Sequence, residues 1–291
     1  MTNKPLTYNR LIPLFFLVLL MNISHAQHDK YGNISFKKAI NTSGKQRMLT
    51  QKMAKSYLYL LSKPDDSQAK KDLMTAKVIF EEQNRILQQN APFKEVNDKI
   101  VLVNKLWGDF KKLIEVSPNY DIAKKIMESN TDLLKATNEV VRQIIMQSKK
   151  SRKNASNYLN ESESNLKKDA PELEEIINIA GRQRMLSQRL ALYYYGNEQV
   201  IKNKNSNQML TNIFNEFDGA LNMLLIFDAN TSEIDEKIGV AFSKWNTIKK
   251  EKQKLMAQEL KYEDVYKMTN ELTRVFNDIT LMYEKTKIDS H

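Results

Sequence analysis

Two arginines stand in near-identical surroundings: Ile40–Lys55 reads INTSGKQRMLTQKMAK, Ile177–Leu192 reads INIAGRQRMLSQRLAL, and nine of the sixteen positions agree. On a helix advancing about 100° per residue, with Gly44 at zero, Arg47 falls at about 300°, Gln51 at about 340°, Met48 at about 40° and Asn41 at about 60°. These five side chains share one arc, and Asn178, Gly181, Arg184, Met185 and Gln188 share the same arc in the second copy. Arginine presents a planar five-donor fork suited to a carboxylate or another oxyanion, and Gln and Asn on the same face can orient it. A glycine in mid-helix costs about 1 kcal/mol relative to alanine, so close approach of a neighbouring helix or a ligand must offset it. The alternative chemistry is structural: Arg47 and Arg184 pair with acidic side chains between helices, and the glycines serve packing alone.

An internal repeat this sharp implies duplication, so the elements that position each arginine are expected twice. The first motif opens a helix over Ala39–Leu61, which Pro64 and its Asp/Ser neighbours stop. A second helix carries Leu73, Ala76, Phe80, Gln83 and Leu87, spaced alternately by four and three, and ends at Asn90-Ala91-Pro92. A third places Ile100, Val103, Trp107, Phe110 and Ile114 at heptad positions before Ser117-Pro118-Asn119. A fourth runs from about Asp121 beyond Ile145, with Ile122, Ile126, Leu133, Val140 and Ile144 inward. After the second motif, whose helix is expected to end near Gly196, the plan recurs. Leu210, Ile213, Phe217, Ala220, Leu224 and Phe227 form one stripe, Ile238, Ala241, Trp245 and Ile248 the next, and Val265, Met268, Leu272, Val275, Ile279 and Met282 the last. The reading is all-α: two tandem up-down-up-down four-helix bundle modules, residues 27–147 and 171–291, joined by a polar linker or helical extension over 148–170. The connection leaves two arrangements open, an internal pseudo-dimer with Arg47 and Arg184 converging on one anion, or end-to-end stacking through a long helix.

Composition narrows the function classes. Cysteine is absent, which removes disulfides, thiolate metal sites and cysteine nucleophiles. Three histidines, none inside an expected core element, leave no Glu-x-x-His pair for a di-iron bundle, and no positioned base suggests serine or aspartate catalysis. Neither a metal nor another cofactor is expected. Only seven glycines and six prolines in 291 residues argue against tight hairpins. Lys4 and Arg10 precede an apolar Leu11–Ile23, and Ser24-His25-Ala26 offers small residues for cleavage, so residues 1–26 read as a secretory signal peptide and the mature chain as periplasmic or secreted. No later stretch is long enough to span a membrane. Removing those two cations from 45 Lys+Arg leaves 43 against 35 Asp+Glu, a net of +8. That surplus suits small anions or anionic surfaces; export argues against nucleic acid, and most of the lysines are read as solvated outer helix faces.

The pattern Asn-x-[Ser/Ala]-Gly-x-x-Arg-Met-x-[Ser/Thr]-Gln heading a four-helix module resembles the N-terminal sensor domain of type IV pilus methyl-accepting chemotaxis transducers, the PilJ-type domain. It is also similar to the periplasmic domain of nitrate/nitrite-responsive sensor kinases, whose corresponding stretch is the ligand-binding P-box. The resemblance is strong over both motif helices and rests on pattern elsewhere. It implies a non-enzymatic sensory protein in which Arg47 and Arg184, supported by Gly44, Gly181, Gln51, Gln188, Asn41 and Asn178, hold a small nitrate-like oxyanion where two motif helices meet. Family modules usually sit between transmembrane helices and feed a signalling domain, so this chain is expected to report to a membrane sensor or transporter, as a monomer with an internal pseudo-dimer or as a homodimer. The alternative is a structural or adaptor bundle of the cell envelope with no small ligand.

Overall fold

A computed structural model describes residues 30–158, 172–199 and 204–286. The expected signal peptide and most of the expected linker lie outside the described residues. The first module is α1 (Phe36–Ser62), α2 (Ser67–Asn90), α3 (Lys94–Ile114) and α4 (Tyr120–Tyr158); the second is α5 (Leu173–Gln199), α6 (Lys204–Leu225), α7 (Ser232–Lys250), a one-turn α8 (Lys252–Met256) and α9 (Tyr262–Lys285). Caps set several boundaries. Ser35 Oγ accepts from Lys38 N at 3.2 Å, Asp66 Oδ1 from Ala69 N at 2.8 Å and Thr231 Oγ1 from Ile234 N at 3.3 Å, each supplying a partner to an orphan amide of a first turn.

The expected stripes face inward with few exceptions. All five heptad residues of α3 are buried, as are Ile238, Ala241, Trp245 and Ile248 of α7. In α2 the fully packed polar position is Asn84 rather than Gln83, which is half-buried. In α9 Met268, Val275 and Met282 lie at the edge of the stripe, half-buried. The scarcity of glycine does not prevent one tight hairpin. Strands β1 (Lys30–Tyr31) and β2 (Ile34–Ser35) pair antiparallel, and Gly32 turns between them at φ +63°. A Cβ at Gly32 would stand only 2.4 Å from the Asn90 carbonyl oxygen, so the hairpin seats against the end of α2, where buried Tyr31 donates to the Leu87 carbonyl at 3.2 Å.

The modules lie side by side around the two motif helices, and the end-to-end arrangement is not what the chain adopts. Helices α1 and α5 run parallel and in contact: the Tyr59 and Tyr195 rings are 5.5 Å apart near their C-terminal ends, while Arg47 meets Asn178 and Arg184 meets Asn41 near their beginnings. Each motif helix therefore has neighbours on nearly every side. Of the 27 residues of α1, 20 are buried, which marks it as a central helix rather than an amphipathic outer one. One continuous apolar core runs through both modules. Among the described residues no helix is long and apolar enough to cross a membrane.

Candidate functional site

The motif glycines are explained by their own arginines. Arg47 and Arg184 each fold back along their helix over the residue one turn earlier, so that a Cβ at Gly44 would stand 3.3 Å from Arg47 Nη2 and one at Gly181 3.0 Å from Arg184 Nη2. Without a side chain there, the planar fork lies flat in the narrow space between α1 and α5. The Gly44 position is also 3.6 Å from Arg184 Nη2, so the two Nη2 atoms are no more than about 7 Å apart, the sum of the two distances from that point. The guanidinium groups look at one another.

The contacts are reciprocal across the helix pair, as in an isologous dimer interface. Arg47 Nη2 donates to Asn178 Oδ1 at 2.7 Å and reaches the Asn178 carbonyl at 3.4 Å, while Arg184 Nη2 reaches the Asn41 carbonyl at 3.4 Å. Equivalent outer asparagines hold the other nitrogens: Arg47 Nη1 donates to Asn138 Oδ1 of α4 at 2.9 Å, and Arg184 Nη1 to Asn277 Oδ1 of α9 at 3.2 Å. Arg47 Nε and Asn41 Oδ1 are buried with no hydrogen-bond partner.

Every one of those acceptors is neutral. Among the described residues no carboxylate oxygen lies within 4.0 Å of either guanidinium, although Arg47 is 1% exposed and Arg184 0%. Two like charges out of water without counterions carry a large desolvation cost and repel each other. Burial accordingly pushes Arg47 down to about 9, with Arg182 and Arg184 adding repulsion and the more distant Glu216 opposing. Arg184 is pushed down to about 10 by burial, against the pull of Glu284. Both remain cationic at neutral pH. Half-buried Lys45 is lowered by its own desolvation and by Arg184 and Lys52, which marks the surroundings as electropositive. The inter-helix salt bridges that offered a structural explanation of the arginines are not formed.

Asn41, Gly44, Arg47, Asn178, Gly181 and Arg184 thus come together at one point. Gln51 and Gln188 are adjacent but turned outward within their own modules. Gln51 and Asn130 of α4 exchange two amide bonds, 3.1 and 3.2 Å, and Gln188 Nε2 donates to Asn270 Oδ1 at 3.1 Å and Thr273 Oγ1 at 2.7 Å of α9. The sequence reasoning missed Asn138 and Asn277 as arginine ligands; the signal was present, since Asn138-Glu139-Val140 and Asn277-Asp278-Ile279 align between the modules. It also missed Lys55, which is fully buried, donates to Asn270 Oδ1 at 2.7 Å and sits 3.9 Å over the Tyr266 ring. Among the described residues no group of three His, Asp or Glu side chains is placed to hold a metal ion.

The family model described as type IV pili methyl-accepting chemotaxis transducer N-term, PilJ, matches residues 35–132 and 172–263, one segment in each module. No curated protein and no solved structure matches the chain.

Proposed function

Because the chain belongs to the family of type IV pili methyl-accepting chemotaxis transducer N-terminal domains, in two tandem copies, we propose that it is an exported, non-enzymatic sensory protein that binds a small oxyanion between Arg47 and Arg184. The family is one of sensory and signalling domains. One observation carries the anion reading: two fully buried guanidinium groups face each other across α1 and α5 with only amide and carbonyl partners. An oxyanion entering there supplies the missing counter-charge to both arginines at once and an acceptor for the free Arg47 Nε. Because the anion bridges two modules, its arrival tightens one helix pair against the other, which is the displacement a membrane sensor or transporter partner reads. Charge-assisted hydrogen bonds are worth roughly 1.5–3 kcal/mol each, so the two arginines give a gross of roughly 3–6 kcal/mol, near millimolar affinity.

Calorimetric and thermal-shift titration with nitrate, nitrite and small carboxylates, on wild type, Arg47→Ala and Arg184→Ala, tests this. The expected outcome is stabilisation by one anion class that either substitution abolishes. If no anion stabilises the protein in an arginine-dependent way, the bundle is an envelope adaptor without a small ligand.

A further inference from the structure

A cavity of about 410 Å³ opens on the outer side of α1 between α2 and α9. Its inner wall is built on a charged network. Asp72 takes Lys52 Nζ and Gln68 Nε2, both at 3.1 Å, on one oxygen and Tyr266 Oη at 2.9 Å and Asn270 Nδ2 at 3.3 Å on the other. Burial alone would raise the Asp72 carboxyl, but Lys52 and these hydrogen bonds hold it below the usual carboxylate range. With all four bonds made, Asp72 is a structural member of the wall and offers nothing to a ligand.

The Asp72 network fixes which way the neighbouring amides point. Asn270 gives its Nδ2 to Asp72 and takes the Lys55 ammonium on its Oδ1, so its own orientation is set by two charges. Gln188 therefore has to present its Nε2 to that oxygen, and it does, at 3.1 Å. Its Oε1 has no hydrogen-bond partner, in a side chain that is 0% exposed and is one of the residues lining the cavity. A buried acceptor left open is costly, and here no amide flip removes it. What completes it must be a hydrogen-bond donor. The rim is cationic: Lys52, Lys267 and Arg274 line it, and among the described residues neither Lys267 nor Arg274 has a carboxylate within 4.0 Å. Glu271, one turn from both on the same helix, is tied to Lys244 at 2.9 Å. A donor group on the ligand is thus best neutral, because an ammonium would meet Lys52, Lys267 and Arg274 together.

We propose that this cavity is a second ligand site that takes a small hydroxycarboxylate, with its carboxylate on Lys267 and Arg274 at the rim and its hydroxyl donating to Gln188 Oε1. The volume holds an organic acid rather than a single water, whose share of liquid volume is about 30 Å³. An inorganic oxyanion satisfies the rim and leaves the Gln188 acceptor open, so the site discriminates against nitrate. It is independent of the arginine pair in composition, yet Gln188 lies one turn from Arg184 on α5, which places both occupancies on one helix.

The test titrates the mature chain by calorimetry with glycolate, lactate, malate and citrate, each against its deoxy counterpart acetate, propionate, succinate and tricarballylate, with nitrate in parallel. At least one hydroxy acid is expected to bind tenfold or more tightly than its deoxy partner, since a site built around a hydroxyl rejects the analogue that lacks it. Lys267→Ala and Arg274→Ala, both on the exposed face of α9 and harmless to folding, are expected to weaken that hydroxy acid about tenfold each, as loss of one charge-assisted contact. Gln188→Leu is expected to erase the discrimination. Arg47→Ala is expected to remove nitrate binding and leave the hydroxy acid bound, which separates failure of the anion reading from failure of this one. Equal response to every hydroxy/deoxy pair, no binding of any hydroxy acid, or binding indifferent to Lys267→Ala and Arg274→Ala overturns the proposal.

Discussion

Gln51 and Gln188 hold the same position in the two copies of the motif, and their surroundings have diverged. In the first module Gln51 and Asn130 close a reciprocal amide pair and nothing remains for a ligand to satisfy. In the second, Gln188 is fixed by Asn270 and Thr273 with its oxygen left open. The arginines show a milder split: Arg47 has the Asn178 side chain, whereas the Asn41 side chain is drawn to Glu284 and leaves Arg184 only the Asn41 backbone oxygen. A homodimer must carry each feature on both sides of its axis. Two copies in one chain are free of that constraint, so Gln51 can sit in a closed amide pair while its counterpart Gln188 keeps an open acceptor.

The largest expected difference between the halves lies in the two tryptophans. Trp245 is fully buried, stacks on Phe217 at 4.1 Å and donates to Asp218 at 2.7 Å, while Trp107 is slightly exposed with its nearest ring, Phe80, tilted at 4.4 Å. Trp245→Ala is expected to cost about 5 kcal/mol and Trp107→Ala about 3 kcal/mol, the upper and lower ends for a core aromatic. Urea unfolding of both variants measures this; equal costs would show that the Phe217 stack and the Asp218 bond add nothing at Trp245.

Next comes the charge pair. Removing one member of a buried ion pair costs about 3–5 kcal/mol because its partner is left uncompensated. Arg47 has no such partner, so Arg47→Met in anion-free buffer is expected to cost less than about 1 kcal/mol, while stabilisation by the cognate anion, about 2.7 kcal/mol at a hundredfold excess over Kd, disappears. A full ion-pair cost without anion would show that a counter-charge is already present. The sign with pH follows from burial. Arg47 is lowered to about 9 in the fold, below its ordinary range, so its destabilising contribution is complete below pH 9 and relaxes as pH rises from there. Anion affinity is expected to be flat from about pH 6 to 8, where the guanidinium keeps its charge.

The glycines give a smaller, graded contrast. Alanine at Gly181 meets Arg184 Nη2 at 3.0 Å, alanine at Gly44 meets Arg47 Nη2 at 3.3 Å, and each gains helix propensity. Both variants are expected to keep stability within about 1 kcal/mol of wild type. Gly181→Ala is expected to weaken the anion more, because its neighbour has less room. Reversal of that order would break the assignment of the glycines to guanidinium clearance.

Much of this was legible beforehand. The duplication, the helix boundaries at Pro64, Pro92 and Pro118, the paired tryptophans and the arc shared by Asn, Gly and Arg all follow from spacing, because helix periodicity is local. What the sequence left open was which side of each motif helix meets which neighbour. Parallel packing of α1 on α5 depends on the shape of two assembled modules, and it decides that Arg47 and Arg184 converge while Gln51 and Gln188 turn back to α4 and α9. Lys55 was unreadable for the same reason. A lysine in a helix normally reads as solvated, and only contact with α9 from the other module supplies Asn270 and the Tyr266 ring that make its burial tolerable.

Lys55 also gives the finest test of the comparison, since the second copy carries Leu192 at that position. Its amine is lowered well below 10.5, by burial first and then by Lys52, with Asp72 opposing. A cation whose folded value lies below its unfolded one destabilises most at low pH, and that contribution fades as pH rises toward 10.5. Lys55→Leu removes the charge but leaves Asn270 Oδ1 one donor short, a loss of about 1–3 kcal/mol when nothing replaces it. The two effects oppose each other. The variant is expected to stand within about 1 kcal/mol of wild type near neutral pH, to gain relative to wild type as pH falls toward 5, and to lose as pH rises toward 9. Urea midpoints across that range decide it. A difference independent of pH would mean that Lys55 keeps its full charge in the fold and that its amine is not lowered.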